Sequence, residues 1–80
     1  MGIMITEKTV ENGATYFEMV SEKKSVFVAI TECYVKVLVR SIKNAGKMGY
    51  GKTFMSIEEA VNNYKSAEVK EMILLAQSEA

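Results

Sequence analysis

The 80-residue chain contains no histidine, aspartate, tryptophan or proline, and only one cysteine. Without histidine there can be no Ser–His or Cys–His nucleophile and no imidazole-bound metal, and the remaining carboxylates form no ligand pattern, so no metal or other cofactor is expected. A lone Cys33 excludes an internal disulfide framework and points to a reducing compartment, with the cytoplasm as the expected location. The lack of proline, with only five glycines, argues against a linker-rich or disordered chain. No apolar run approaches the roughly 20 residues that span a bilayer. Met1–Met4 also lacks the basic stretch that opens a secretory signal, so neither a membrane partner nor export is expected.

Residues 1–80 show no internal repeat and no low-complexity tract, which implies a single domain. A chain this short buries a modest part of its surface, and self-association would add to its stability; a homodimer is expected. Formal net charge is zero, but the sign is segregated. Residues 1–32 hold five Glu and three Lys, and residues 58–80 hold five Glu and two Lys. Residues 33–57 hold Lys36, Arg40, Lys43, Lys47 and Lys52 with no acid, a local charge of +5.

The first two-thirds of the chain reads as strands within residues 3–54. Asn12-Gly13 tolerates positive φ at both positions and predicts a tight hairpin between Ile3–Val10 and Ala14–Val20. The polar run 21–25 precedes Val26–Thr31, whose β-branched and aromatic residues suit a half-buried strand. In Tyr34–Ile42, Val35, Val37 and Val39 alternate with Tyr34, Lys36, Leu38 and Arg40, so the valines are expected to face the core. The glycine-containing stretch 43–49 reads as a loop, and Tyr50–Phe54 as a short returning strand.

Ser56 followed by Glu59 forms a capping-box pattern at the start of a helix over about residues 57–78. Its apolar stripe of Ile57, Ala60, Val61 and Tyr64 resumes out of phase at Val69, Met72, Ile73 and Ala76, which predicts a kink or break near Ser66. The fold class is therefore α+β: a small antiparallel sheet of three to five strands packed on a C-terminal helix, with the other sheet face left available.

Residues 46–53 match the phosphate-binding pattern G-x-x-x-x-G-K-S/T. That loop needs an Asp on a neighbouring strand and a large parallel sheet, whereas this chain has no Asp and places its helix start at Ser56. A basic hairpin loop is the better reading. Glu58 and Glu59 suit the first turn of a helix, where they favour its dipole, and Cys33, with no histidine base and no evident electropositive pocket of its own, reads as a buried or turn-side thiol. A non-enzymatic protein is expected.

From Val35 to Ala67, Val39-Arg40, Thr53-Phe54, Ser56, Glu58-Glu59-Ala60, Tyr64 and Ala67 give an order of strand, turn, short strand and helix. This resembles the plant AP2/ERF-type DNA-binding domain and, more loosely, the arm-binding domains of integrases. The resemblance implies a three-stranded sheet in the DNA major groove with the helix behind it, and contacts from Arg40, Tyr50 and Lys52. The chain departs from that pattern in having no Trp, no Arg-rich first strand, and Lys52 in place of a Gly.

Two functions follow as expectations. The first is binding of DNA or RNA through Lys36, Arg40, Lys43, Lys47 and Lys52, with Tyr34 and Tyr50 stacking on bases. The second is a protein-binding or inhibitory module of the kind carried by phages and mobile elements, acting through a sheet edge or an apolar patch. It is motivated by the run Met72-Ile73-Leu74-Leu75, which cannot turn wholly toward one sheet and makes Met72, Leu74 and Leu75 the expected interface.

Overall fold

The computed structural model describes residues 2–41 and 51–80. Five strands form one antiparallel sheet in the order of the chain: β1 (Met4–Glu11), β2 (Ala14–Val20), β3 (Lys24–Ile30), β4 (Val35–Ser41) and β5 (Gly51–Phe54). Two helices follow, α1 (Ile57–Asn63) and α2 (Ala67–Glu79). This is the α+β architecture expected, with five strands and with two helices where the sequence pattern predicts one.

Local chemistry sets the connections. Asn12 and Gly13 both have positive φ, 51° and 79°, the two-residue turn whose twist matches its flanking strands, and it registers Glu11 opposite Ala14. Between β2 and β3 the Ser21 hydroxyl accepts from the Lys24 amide at 3.2 Å. Between β3 and β4 the Thr31 hydroxyl accepts from the amides of Cys33 and Tyr34, at 3.2 and 3.0 Å. Ser56 caps α1 by accepting from the Glu59 amide at 3.1 Å. The chain is extended at Tyr64, and Ser66 then caps α2 through the Val69 amide at 3.3 Å. The phase slip in the apolar stripe is thus the junction between two helices.

Both helices lie on one side of the sheet. Register and alternation put Phe17, Val28 and Val37 in one row across β2, β3 and β4, with Met19 and Val26 in the next, all facing the helices. They pack with Phe54, Ala60, Val69, Met72, Ile73 and Ala76 into one buried core. Val35 and Val37 are buried and Val39 packs against the core, as the alternation predicts. Tyr64 sits at the helix junction with its ring edge-on to Phe54, centroids 5.9 Å apart, and burial raises its hydroxyl pKa above the ordinary value.

The row through Phe17, Val28 and Val37 ends in a lysine at each sheet edge, Lys8 on β1 and Lys52 on β5. Edge lysines hinder strand addition from another chain. Lys8 also places its ammonium 5.8 Å from the Phe17 ring centroid and donates to the Glu79 carbonyl at 2.7 Å. No basic residue lies in the last turn of α2, so Lys8 supplies the cation that the helix C-terminus favours. Replacing Lys8 by Met keeps the apolar stem over Phe17 and removes the charge. The expected loss is about 0.5 kcal/mol of unfolding free energy at low salt, shrinking as salt is added, read from urea titrations at two ionic strengths.

Candidate binding face

The side of the sheet away from the helices carries the candidate site. Its central row runs Glu7, Glu18, Phe27, Leu38, Gly51 from β1 to β5. The row on one side of it is Thr9, Tyr16, Ala29, Lys36, Thr53, and the row on the other is Met4, Val20, Ser25, Arg40. Tyr16 and Phe27 are diagonal neighbours across β2 and β3 and stack with centroids 6.0 Å apart and planes 26° from parallel. With Leu38 they form a half-buried apolar centre on a face that no helix among the described residues covers.

Charge on this face is sorted by strand. Glu7 and Glu11 on β1 and Glu18 on β2 are exposed along one half. Lys36 and Arg40 on β4 are exposed along the other, and β3 contributes only Ser25, Phe27 and Ala29 between them. Two strand spacings, about 10 Å, separate β2 from β4, so the halves are too far apart to neutralise each other by direct pairing.

Two backbone features create this sorting. A bulge between Ile5 and Glu7 interrupts the alternation of β1: Ile5 stays against the core, while Glu7 turns to the open face beside Glu18. The extra residue, Thr6, donates its hydroxyl to the Glu18 carbonyl at 3.1 Å. On the basic side, a Cβ at Gly51 would lie 3.3 Å from Lys36 Cε and 3.9 Å from a Leu38 methyl, so the bare backbone of β5 makes room for the Lys36 stem.

The residues singled out from sequence fall in several places. Lys36 and Arg40 share the open face. Lys52 pairs with Val37 and so projects on the helix side, apart from Arg40. Tyr34, 41% exposed, lies in the β3–β4 turn, at the N-terminal end of β4 and away from Arg40, and lines a shallow hollow with Ala14, Tyr16 and Cys33. Lys43, Lys47 and Tyr50 lie outside the described residues. Lys52 and Thr53 sit inside β5 rather than at a helix start, which is not the arrangement a phosphate-binding loop requires.

Of the expected interface residues, Met72 needs correction: it is fully buried in the chain's own core, because the out-of-phase stripe of α2 turns it toward the sheet. Leu75 is half-buried against that core. Leu74 is 47% exposed beside Ile57 and Val61 in a groove between the helices. Sequence reasoning places Leu38 on one strand face with Lys36 and Arg40 but misses Tyr16, Phe27 and the three glutamates as members of the same surface. The alternation within 14–20 and 24–30 carries the signal for the aromatics, but only the pairing register brings them together. Among the described residues, no helix is long and apolar enough to cross a membrane. No family model matches the chain, and no curated protein or solved structure matches it either.

Proposed function

We propose that the protein is a non-catalytic protein-binding module whose working surface is the open face of the sheet. The observation that carries this reading is the composition of that face: a stacked aromatic pair with Leu38 at the centre, flanked by acids on one side and bases on the other. An aromatic centre inside a charged rim is the anatomy of a protein interface, with the centre supplying affinity and the rim orientation. A nucleic acid lying flat across the same face would meet Glu7, Glu11 and Glu18 as well as the bases, and its phosphates would be repelled along half of it. The exposed thiol of Cys33 suits a reducing compartment, and the cytoplasm fits that requirement.

A second reading, nucleic-acid binding, is favoured by one observation: Lys36 and Arg40 lie on the same face of β4, and the chain continues from that strand into Lys43 and Lys47. Such binding would use the β4 margin alone and would weaken steeply with salt.

Photo-crosslinking in host cells separates the two. A photoreactive phenylalanine derivative at Leu38 reports on the open face, and the same group at exposed Asn62 on α1 serves as a control. The expected result is protein adducts from position 38 that survive nuclease and are absent from position 62. Adducts from position 38 that collapse on nuclease treatment would move the assignment to nucleic acid, and no adduct from position 38 would remove the open face as the working surface.

A further inference from the structure

We infer that the open face is built for a second copy of this chain, packed face to face about a two-fold axis that runs along β3. The inference rests on the protein-binding reading above and adds the partner and its orientation.

The charges on the face change sign in one direction only, across the strands, from Glu7, Glu11 and Glu18 on β1 and β2 to Lys36 and Arg40 on β4. Two copies can meet face to face about an in-plane axis in two principal ways. An axis across the strands lays β1 over β1 and β4 over β4, acid over acid and base over base. An axis along β3 exchanges the two halves, so each copy's acidic strands lie over the other's basic strand. Only the second is self-complementary, and a two-fold interface must be self-complementary to close.

The rows then specify the contacts. Phe27, in the central row on β3, lies at the axis and meets the partner's Phe27. Glu18 lies over the partner's Leu38, which its own strand flanks with Lys36 and Arg40, so the carboxylate falls between two cations. Glu7 lies over the partner's Gly51, beside which the stem of the partner's Lys36 runs, so this carboxylate too meets a cation. Each contact occurs twice by symmetry. Packed sheets stand about 10 Å apart and rotate by about 30°, which a small tilt of the axis from β3 accommodates.

The area is sufficient for a reversible dimer. Five strand spacings by six or seven residues give about 500 Å² per protomer and about 1,000 Å² in total, the lower bound for a specific interface. The other apolar surface, the groove of Ile57, Val61 and Leu74 between the helices, shows no such pattern of opposed charges, and the two sheet edges carry Lys8 and Lys52.

The test is sedimentation of the full chain from micromolar to millimolar concentration, with far-UV circular dichroism to verify folding. The wild type is expected to dimerise. Glu18→Lys places a third cation beside the partner's Lys36 and Arg40, and Lys36→Glu with Arg40→Glu places acids over Glu18. Each variant alone is expected to dimerise at least about tenfold more weakly. An equimolar mixture restores both sets of opposed charges and is expected to recover the wild-type dissociation constant to within about threefold. Glu18→Gln, which keeps the side-chain size, is expected to weaken dimerisation to a smaller extent and serves if Glu18→Lys fails to fold.

A wild type that stays monomeric at millimolar concentration overturns the inference, as does a dimer unmoved by Glu18→Lys or variants that do not rescue each other. A monomer whose position 38 still crosslinks to another protein retires the two-fold axis and leaves the protein-binding reading standing. A monomer with no such adduct retires both.

Discussion

Val37→Asp is expected to leave the protein unfolded at 25 °C, while Leu38→Asp, one residue along the same strand, keeps the native sheet. Val37 is fully buried, between Val28 and Lys52 in its row, with α1 and α2 closing over that face of the sheet. The cation beside it, Lys52 on the edge strand, is exposed to solvent, so a carboxylate buried at position 37 stays poorly paired, which costs several kcal/mol whether it keeps its charge or takes up a proton. Domains of this size have a total stability of only about 5–10 kcal/mol, so one such group is enough to tip the balance. Leu38 points the other way, is half-buried, and a carboxylate at its position remains exposed to water. Its expected cost is about 1 kcal/mol, mostly from weaker apolar packing beside Phe27. Circular dichroism and urea titration of the two variants read the contrast directly; equal stabilities would mean that the two faces of β4 are wrongly assigned.

That contrast between adjacent residues is the part of the fold most legible in the sequence, because alternation along one strand is a local property. The same holds for the Asn12-Gly13 turn and for Ser56 and Ser66, where a side chain reaches an amide only three residues away. What is not legible depends on pairing between distant segments. Lys52 and Arg40 belong to one basic stretch of sequence, yet the β4–β5 register places Lys52 opposite Val37 and so on the other face from Arg40. The run of charge along the chain conceals that outcome, although alternation with the buried Phe54, two residues on, already places Lys52 on the core side of β5. Similarly, unbroken alternation would put Glu7 on the same side as Ile5; the bulge at Thr6 reverses it and completes the acidic half of the open face.

The site is therefore half visible before folding. The sequence marks a basic segment, and Lys36 and Arg40 do share an exposed face, but the segregated charge along the chain becomes a segregated charge across the sheet. The glutamates of the first hairpin are brought onto the same surface as the cations instead of pointing away from it. This is the physical reason the surface reads differently once folded. A stripe of cations alone favours a polyanion, whereas cations and acids on opposite margins of an aromatic centre favour a partner with the reverse arrangement.

Met72→Ala is expected to cost about 2–5 kcal/mol of unfolding free energy, with no dependence on protein concentration beyond that of the wild type. The side chain is fully buried among core residues that include Ile73, Val69 and Ala76, and removing it leaves a cavity that the rigid strands beneath cannot fill. Leu74→Ala, two residues on, removes a side chain that is 47% exposed and is expected to stay within about 1 kcal/mol of wild type. Urea titrations at two protein concentrations a hundredfold apart distinguish a core role from an interface role. A residue that stabilises only through a partner loses its effect on dilution, because the dimer dissociates before the chain unfolds; a core residue keeps it. The run Met72-Ile73-Leu74-Leu75 is apolar on all sides only when read along the chain: α2 turns Met72 and Ile73 into the sheet, packs Leu75 against the core, and leaves Leu74 half-exposed in the groove beside Ile57 and Val61. One exposed leucine is ordinary on a small domain, so the apolar surplus of this helix is taken up by the core, and the apolar centre that no helix among the described residues covers lies on the opposite side of the sheet.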